Sequence, residues 1–248
     1  MRIQIFIFGW LDLGSTELRL FAGFKEVVLG SIGYIFTYKI RLAKALCIPF
    51  VIYVLMDAAL EVLPDISPGM TGLVVLGCLS IIVQAVVAVT THRMVLLGPD
   101  SVSEWGSFKW SMRETSFLLR VVGLGVIVGL LSILGLFGIA GFGVALILML
   151  WLAGRLSLVF PAIAIDKNIT FKESWALTKD YQLLMVLAVI VFPIAVTIPV
   201  IMLLETVPYT FLLVSFVSML ATVLAVTALS VSYQYVFRGI PEQVKVNL

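Results

Sequence analysis

Between Lys44 and Val236 the chain alternates long apolar runs with short polar breaks. Six runs reach the roughly 20 residues that a helix needs to cross the hydrocarbon layer. They are Lys44–Val62, Gly72–Val95, Leu119–Ile139, Phe142–Ile165, Gln182–Leu204 and Tyr209–Val236. Ahead of them the pattern changes. Across Glu17–Arg41, Leu18, Phe21, Val28, Ile32 and Ile35 recur at roughly helical spacing, and the uncharged centre "VVLGSIGYIFTY" is too short to span. This predicts an amphipathic helix over 16–41 that lies at the membrane interface. The predicted fold is therefore all-α: one integral membrane domain, 1–248, with six transmembrane helices and interfacial helices beside them.

The polar breaks carry their own signals. "SVSE" (Ser101–Glu104) and "TFKE" (Thr170–Glu173) each fit a capping box, a hydroxyl at the N-cap and a carboxylate three residues on. Each is expected to open a short helix, "EWGSFKWSMRETSFLLR" and "FKESWALTKDY". Trp105, Phe108, Trp110 and Trp175 in these segments suit the headgroup layer, where a ring buries while its polar edge stays wet. An interfacial helix followed by a transmembrane hairpin thus occurs three times, as a shared order of features rather than of residues. The opening "MRIQIFIFGWLDLGSTE" has an apolar core too short to span and no good small-residue cleavage site, and is expected to be retained.

Composition removes whole classes of protein. At 62% hydrophobic and 12% charged, the chain is far from a soluble domain. Cys47 and Cys78 both fall in apolar runs, so neither a disulfide nor a thiolate metal site is expected. The single histidine, His92, excludes a multi-histidine metal centre, and no GxSxG or HExxH accompanies it. No cofactor and no nucleic acid partner is expected.

Net charge, +2, says little, but its distribution says a great deal. One set of connections holds Arg19, Lys25, Lys39, Arg41 and Lys44, then Arg93, Lys109, Arg113 and Arg120, then Lys167, Lys172 and Lys179, then Arg238 and Lys245. The other set, "EVLPDISPGMT", "AG" and "ETVP", holds acids and no lysine or arginine. The positive-inside rule puts both termini and the two longer loops in the cytoplasm.

Arg155 is the first candidate for chemistry. On the predicted fourth span it lies ten residues from the cytoplasmic end, about 15 Å deep. A mid-membrane arginine costs at least about 2.5 kcal/mol, so it should face the bundle and be paired. Pro161 frees the Ser157 carbonyl as one partner, and Asp57, with Glu61 four residues on, is the anionic alternative. A structural tie is preferred; a ligand or proton site is the competing reading. Gln84 shares a face with Gly77, Ser80, Ala88 and Thr91, as do Ser215, Ser218, Thr222, Ala225 and Ser232 in the last span. Such faces, like the Gly125–Gly129 GxxxG pair, read as helix packing first and a substrate path second. His92 and Arg93 are expected to cap the second span and meet phospholipid headgroups. Pro193 and Pro199 should bend the outer half of the fifth span.

The stretch from Arg155 to Leu187, "RLSLVFPAIAIDKNITFKESWALTKDYQLLMVL", resembles a recurring segment of bacterial six-helix inner-membrane proteins. That family includes the membrane domain fused to some glycerophosphodiester phosphodiesterases, and stand-alone relatives. The shared pattern is Arg155, Pro161-Ala162, Asp166 and the Ser174-Trp175-Ala176-Leu177-Thr178 helix; "HRMVLLG" and "MRETSFLLR" resemble the stand-alone members. The specific part covers roughly a fifth of the chain. No hydrolase sequence accompanies it, so phosphodiesterase activity is not carried over. The resemblance implies a bacterial inner-membrane module that handles lipid or organises other envelope proteins. The leading expectation is a non-catalytic accessory, scaffold or lipid-interacting protein, in contact with anionic headgroups or other membrane proteins. A small transporter or channel is the alternative. A lipid-modifying enzyme, with His92 as its acid–base residue, comes third.

Overall fold

A computed structural model describes residues 12–66, 70–106, 110–206 and 211–239, and among these there is no strand. Helices α1 (Asp12–Thr37), α2 (Lys39–Ile66) and α3 (Met70–Leu97) come first. After an irregular loop, α4 (Met112–Ser132) and α5 (Gly138–Leu156) follow, then the short α6 (Val159–Ala164) and α7 (Phe171–Leu177). A continuous rod comes next: α8 (Gln182–Met185), a π-helical turn (Val186–Val191) and α9 (Phe192–Glu205). The last helix is α10 (Phe211–Arg238). Six stretches of helix are long and apolar enough to cross a membrane.

One of the six, Met112–Ala164, has 53 residues. At 1.5 Å per residue it would be about 80 Å long, far beyond the roughly 30 Å of a hydrocarbon core. It is in fact a hairpin. A 3₁₀ turn at Ile133–Phe137 and Gly138 at φ 79° reverse the chain. The reversal lies upstream of the expected "AG" turn, because Ala140 and Gly141 already belong to α5. Gly141 is needed there for a different reason: a Cβ would sit 2.0 Å from the Leu134 carbonyl.

α10 is the central column, and α1, α2, α3 and the α8–α9 rod all pack on it. The α4–α5 hairpin leans on this group through α3, α6 and the π turn. Its outer surface stays apolar and open, with Leu136, Phe137, Ile139 and Phe142 all exposed. That suits a surface whose solvent is lipid. The core is concentrated toward the end where the basic residues gather: Leu158, Val159, Ala162, Ala164, Ile169, Met185 and Val236 are fully buried around α6.

α1 makes its polar contacts at that basic end. Arg19 and Leu20 line a recess with Asp180 and Tyr181, Glu26 pairs with Arg238 at 2.6 Å, and the Tyr34 hydroxyl donates to the Met94 carbonyl at 2.6 Å. Deeper in, Phe24 packs edge-on to Phe192 at 6.5 Å, and Val27 clusters with Leu184, Ala188 and Ala228. The segment Arg19–Thr37 is long and apolar enough to cross on its own, which the reading of 16–41 as too short to span did not expect.

The third span lies seven residues earlier than expected at both ends, Met112–Ser132 against Leu119–Ile139, whereas the first, second, fifth and sixth agree to within five residues, the fifth to within one. The fourth does not. Helix α5 stops at Leu156, and the chain turns at Ser157–Leu158 before α6. The 101–104 box is also corrected. Ser101 closes a 3₁₀ turn, with its hydroxyl on the Gly98 carbonyl, and Glu104 pairs with Lys44 at 2.9 Å. The helix opens instead at Ser111, whose side chain and Glu114 form a reciprocal cap. The Thr170–Glu173 box is present as expected. Gly125 and Gly129 meet nothing within 4 Å, so the expected close approach is not made among the described residues. Phe108, Lys109, Tyr209 and Lys245, the start of the chain to residue 11, and the side chain of Glu61 lie outside the described residues.

Candidate functional site

The ends of α3, α5 and α6 meet at the basic end, and two arginines organise what happens there. Arg93 is in the last turns of α3. Its Nη1 donates to the Ala164 carbonyl and to Asp166 Oδ2, each at 2.9 Å. From α4, Arg113 donates through Nε to Asp166 Oδ1 at 2.8 Å and through Nη2 to Oδ2 at 3.3 Å. Asp166 is therefore the knot that ties three segments.

The backbone explains why an aspartate stands at this point. Asp166 N–H bonds the Ile163 carbonyl at 3.0 Å, and Lys167 N–H bonds the Ala162 carbonyl at 2.9 Å. This pair of bonds is a Schellman closure of α6, with Asp166 at the left-handed position, φ 63°. Glycine is usual there, and aspartate tolerates the conformation better than most residues. The hydrogen bond from Arg113, aided by Arg93, holds the Asp166 carboxyl below its ordinary pKa despite some desolvation. Nearby, Arg120 donates to Asn168 at 3.1 Å. A cavity of about 220 Å³ opens beside this knot, lined by Arg93, Arg113, Glu114, Thr90, Ser101 and Ser103 among others.

Arg155 is held differently. It is the second-last residue of α5, a helix of 19 residues and about 28 Å, close to one hydrocarbon thickness. It therefore stands at the end of the span, and the expectation of a mid-membrane arginine is corrected. The reason is the break at Ser157: the residues after it, counted into the span by their hydropathy, are buried in protein. Neither expected partner is used. The Ser157 carbonyl accepts from Phe160 N–H at 3.1 Å, and Asp57 is bonded to Ser215 on α10.

What Arg155 has instead is α7. The Ser174 hydroxyl donates to the Arg155 carbonyl at 2.8 Å, and the Thr178 hydroxyl at 3.1 Å. The guanidinium lies over the Trp175 ring, 4.4 Å from its centroid, and Trp151 packs edge-on to the same ring at 4.8 Å. The Ser174-Trp175-x-x-Thr178 pattern thus grips one residue by both backbone and side chain. Beside it, Gly154 lets the π turn pack close on α5: a Cβ there would sit 2.9 Å from Val186 Cγ2. Arg155 is only 5% exposed, and its Nε has no hydrogen-bond partner.

The other expected site residues scatter. His92 does not reach a headgroup; it is 1% exposed, and its Nδ1 meets Ser230 Oγ at 2.7 Å in the α3–α10 seam. Arg93 turns inward to Asp166 rather than outward. Gln84 is exposed at the rim of a cavity of about 10 Å³, shared with Tyr53 and Thr222. Of the two polar faces, Ala88, Thr91, Ser215 and Ser232 are buried, Ser80, Ser218, Thr222 and Ala225 are half-buried, and Gly77 is exposed. Both cysteines are free. Arg113 and Glu114 were not singled out by sequence reasoning, although Ser111–Glu114 carries the same S-x-x-E signal as Ser101–Glu104.

The chain matches no family model, no curated protein and no solved structure. The fold defines the class: an all-α, multi-pass membrane protein with its polar architecture gathered at one end.

Proposed function

We propose that this is a non-catalytic integral protein of a bacterial inner membrane, an accessory or scaffold module that interacts with lipid, with its basic end in the cytoplasm. The observation that carries the reading is the construction of that end. α1 pairs with it through Glu26 and Tyr34, α7 holds Arg155 there, and ion pairs from Arg41, Lys44, Arg93, Arg113 and Arg238 knit its loops together. Such a collar is a platform at the height of the headgroups. His92, on which an acid–base role would depend, is locked against Ser230, out of reach of a substrate. The resemblance of Arg155–Leu187 to the bacterial six-helix proteins supports the same reading.

Native mass spectrometry of the protein released directly from its own membrane tests it. A stoichiometric polypeptide or a selectively retained lipid is the expected result. Protein that carries neither overturns the proposal.

The Asp57–Ser215 contact inside the bundle keeps a transporter or channel as the second reading. The adjoining cavity of about 10 Å³ has room for about one water, which is no path by itself. Solute flux into proteoliposomes that an Asp57→Asn variant abolishes would put this reading first.

A further inference from the structure

The cations at the basic end fall into two groups. Arg41, Lys44, Arg93, Arg113 and Arg238 each have a carboxylate within 4.0 Å. Arg155 has none among the described residues, although it is by far the most buried of them. Its Nε is enclosed without a hydrogen-bond partner, and no described residue accepts a hydrogen bond from its side chain. The Trp175 ring offers a cation–π contact at 4.4 Å, which is weak beside the desolvation of a buried ion without a counter-charge. The aromatic contact does not close that gap. An anion would.

The surroundings narrow the kind of anion. Lys172 lies three residues before Trp175, one turn away on the same side of α7, and Lys179 follows in the next turn. Both are exposed, and neither makes an ion pair among the described residues. A guanidinium on a planar ring, with exposed lysines three residues before and four after that ring's residue, matches a phosphate: the guanidinium fork takes two phosphate oxygens, and lysines add charge without geometry. The height matches as well, because Arg155 ends a helix of about one hydrocarbon thickness and two tryptophans surround it.

We infer that Arg155, with Trp175, Lys172 and Lys179, forms a site for the phosphate of an anionic phospholipid drawn from the leaflet at the basic end. The lipid approaches along α7, the Trp175 ring swings aside or stays stacked, and the phosphate becomes the counter-ion that the protein does not provide. Ser174 and Thr178 hold the Arg155 backbone and so fix the guanidinium in place. This rests on the wider reading of a lipid-interacting module, and names its ligand.

The test uses the full-length protein in nanodiscs of mixed phosphatidylglycerol and phosphatidylcholine, transferred to native mass spectrometry, with thermal stability measured in parallel. The expected result is preferential retention of phosphatidylglycerol. It should fall about tenfold in Arg155→Gln and several-fold in a Lys172→Gln/Lys179→Gln double variant. The double variant changes only exposed side chains, so it keeps the inference testable should Arg155→Gln fold poorly. Retention of phosphatidylglycerol that is unchanged in the double variant and in a folded Arg155→Gln overturns the site but leaves the wider reading standing. Retention of neither lipid nor any polypeptide from the native membrane sinks the wider reading itself. Inorganic phosphate that stabilises the detergent-purified protein through Arg155, with no preference between the two lipids, assigns the site to a soluble phosphate and overturns the lipid source.

Discussion

Arg93 and Arg155 stand in the last turns of two apolar helices, at the same end of the molecule, and they are satisfied in opposite ways. Arg93 has a carboxylate and a carbonyl from the α6 turn, and it shares that carboxylate with Arg113. Arg155 has a tryptophan face, two hydroxyls on its own carbonyl, and no acid among the described residues. Where loops must be tied, the chain supplies an aspartate and even accepts a left-handed backbone to place it. Around Arg155 it supplies rigidity and exposed lysines instead. The first is a joint complete in itself. The second holds a cation still and leaves its charge for a phosphate to meet, as inferred above.

The largest expected effect is on the grip beneath Arg155. Ser174→Ala together with Thr178→Val should destabilise by about 2 kcal/mol, because a buried carbonyl loses both hydroxyl donors. Thermal unfolding in detergent reads this out. An unchanged midpoint would mean that α7 does not hold Arg155, and the comparison with Arg93 would collapse.

Next comes the Arg93 knot. Asp166→Ala should cost about 1–2 kcal/mol, a figure kept low because the carboxylate is more than half exposed and screened. Part of that cost is the strain of alanine at φ 63°. Asp166→Asn should cost less, since asparagine tolerates the backbone and keeps one acceptor oxygen. Equal losses in the two variants would show that backbone strain contributes little here.

Smaller still is the effect of acid. Asp166 is held down by the Arg113 hydrogen bond, Glu104 by Lys44, and Glu173 by the Thr170 backbone N–H. A carboxylate with a lowered folded pKa contributes its full stability above the ordinary value, 3.8 for aspartate and 4.5 for glutamate. That contribution is lost as pH falls through the lowered one. On their account the melting temperature should be flat from about pH 8 to about pH 5 and decline below about pH 4. The decline should shrink in Asp166→Asn. Amide exchange across 162–170 at low pH distinguishes this from a global effect.

The smallest effect is at Glu104, whose pairing with Lys44 is on the surface. Glu104→Gln should leave the thermal unfolding midpoint almost unchanged, because an exposed pair is screened by solvent. A larger loss would mean that the 98–106 loop is held by charge rather than by its backbone contacts, such as Gly106 N–H to the Lys44 carbonyl at 3.0 Å.

Much of this molecule was legible in its sequence because the determinants are local. An apolar run of sufficient length makes a spanning helix wherever it sits, so the fifth span, Gln182–Leu204, reappears as a rod ending at Glu205. The Thr170–Glu173 cap needs only four consecutive residues, and it formed. The gathering of lysine and arginine at one end is a matter of counting. Long-range choices were another matter. Two S-x-x-E signals stand ten residues apart, and nothing local says that Glu104 will be taken by Lys44 while Glu114 returns to Ser111. Hydropathy counts Ser157–Ile165 into a span, but whether such residues face lipid or protein depends on what packs around them. Asp166 in a position usually held by glycine carries no signal until Arg93 and Arg113 arrive from helices 53 or more residues away. Hydrophobic length and capping act between neighbours in the chain and are written there. The pairing of a charge depends on which distant group reaches it first, and only the folded structure brings those groups together.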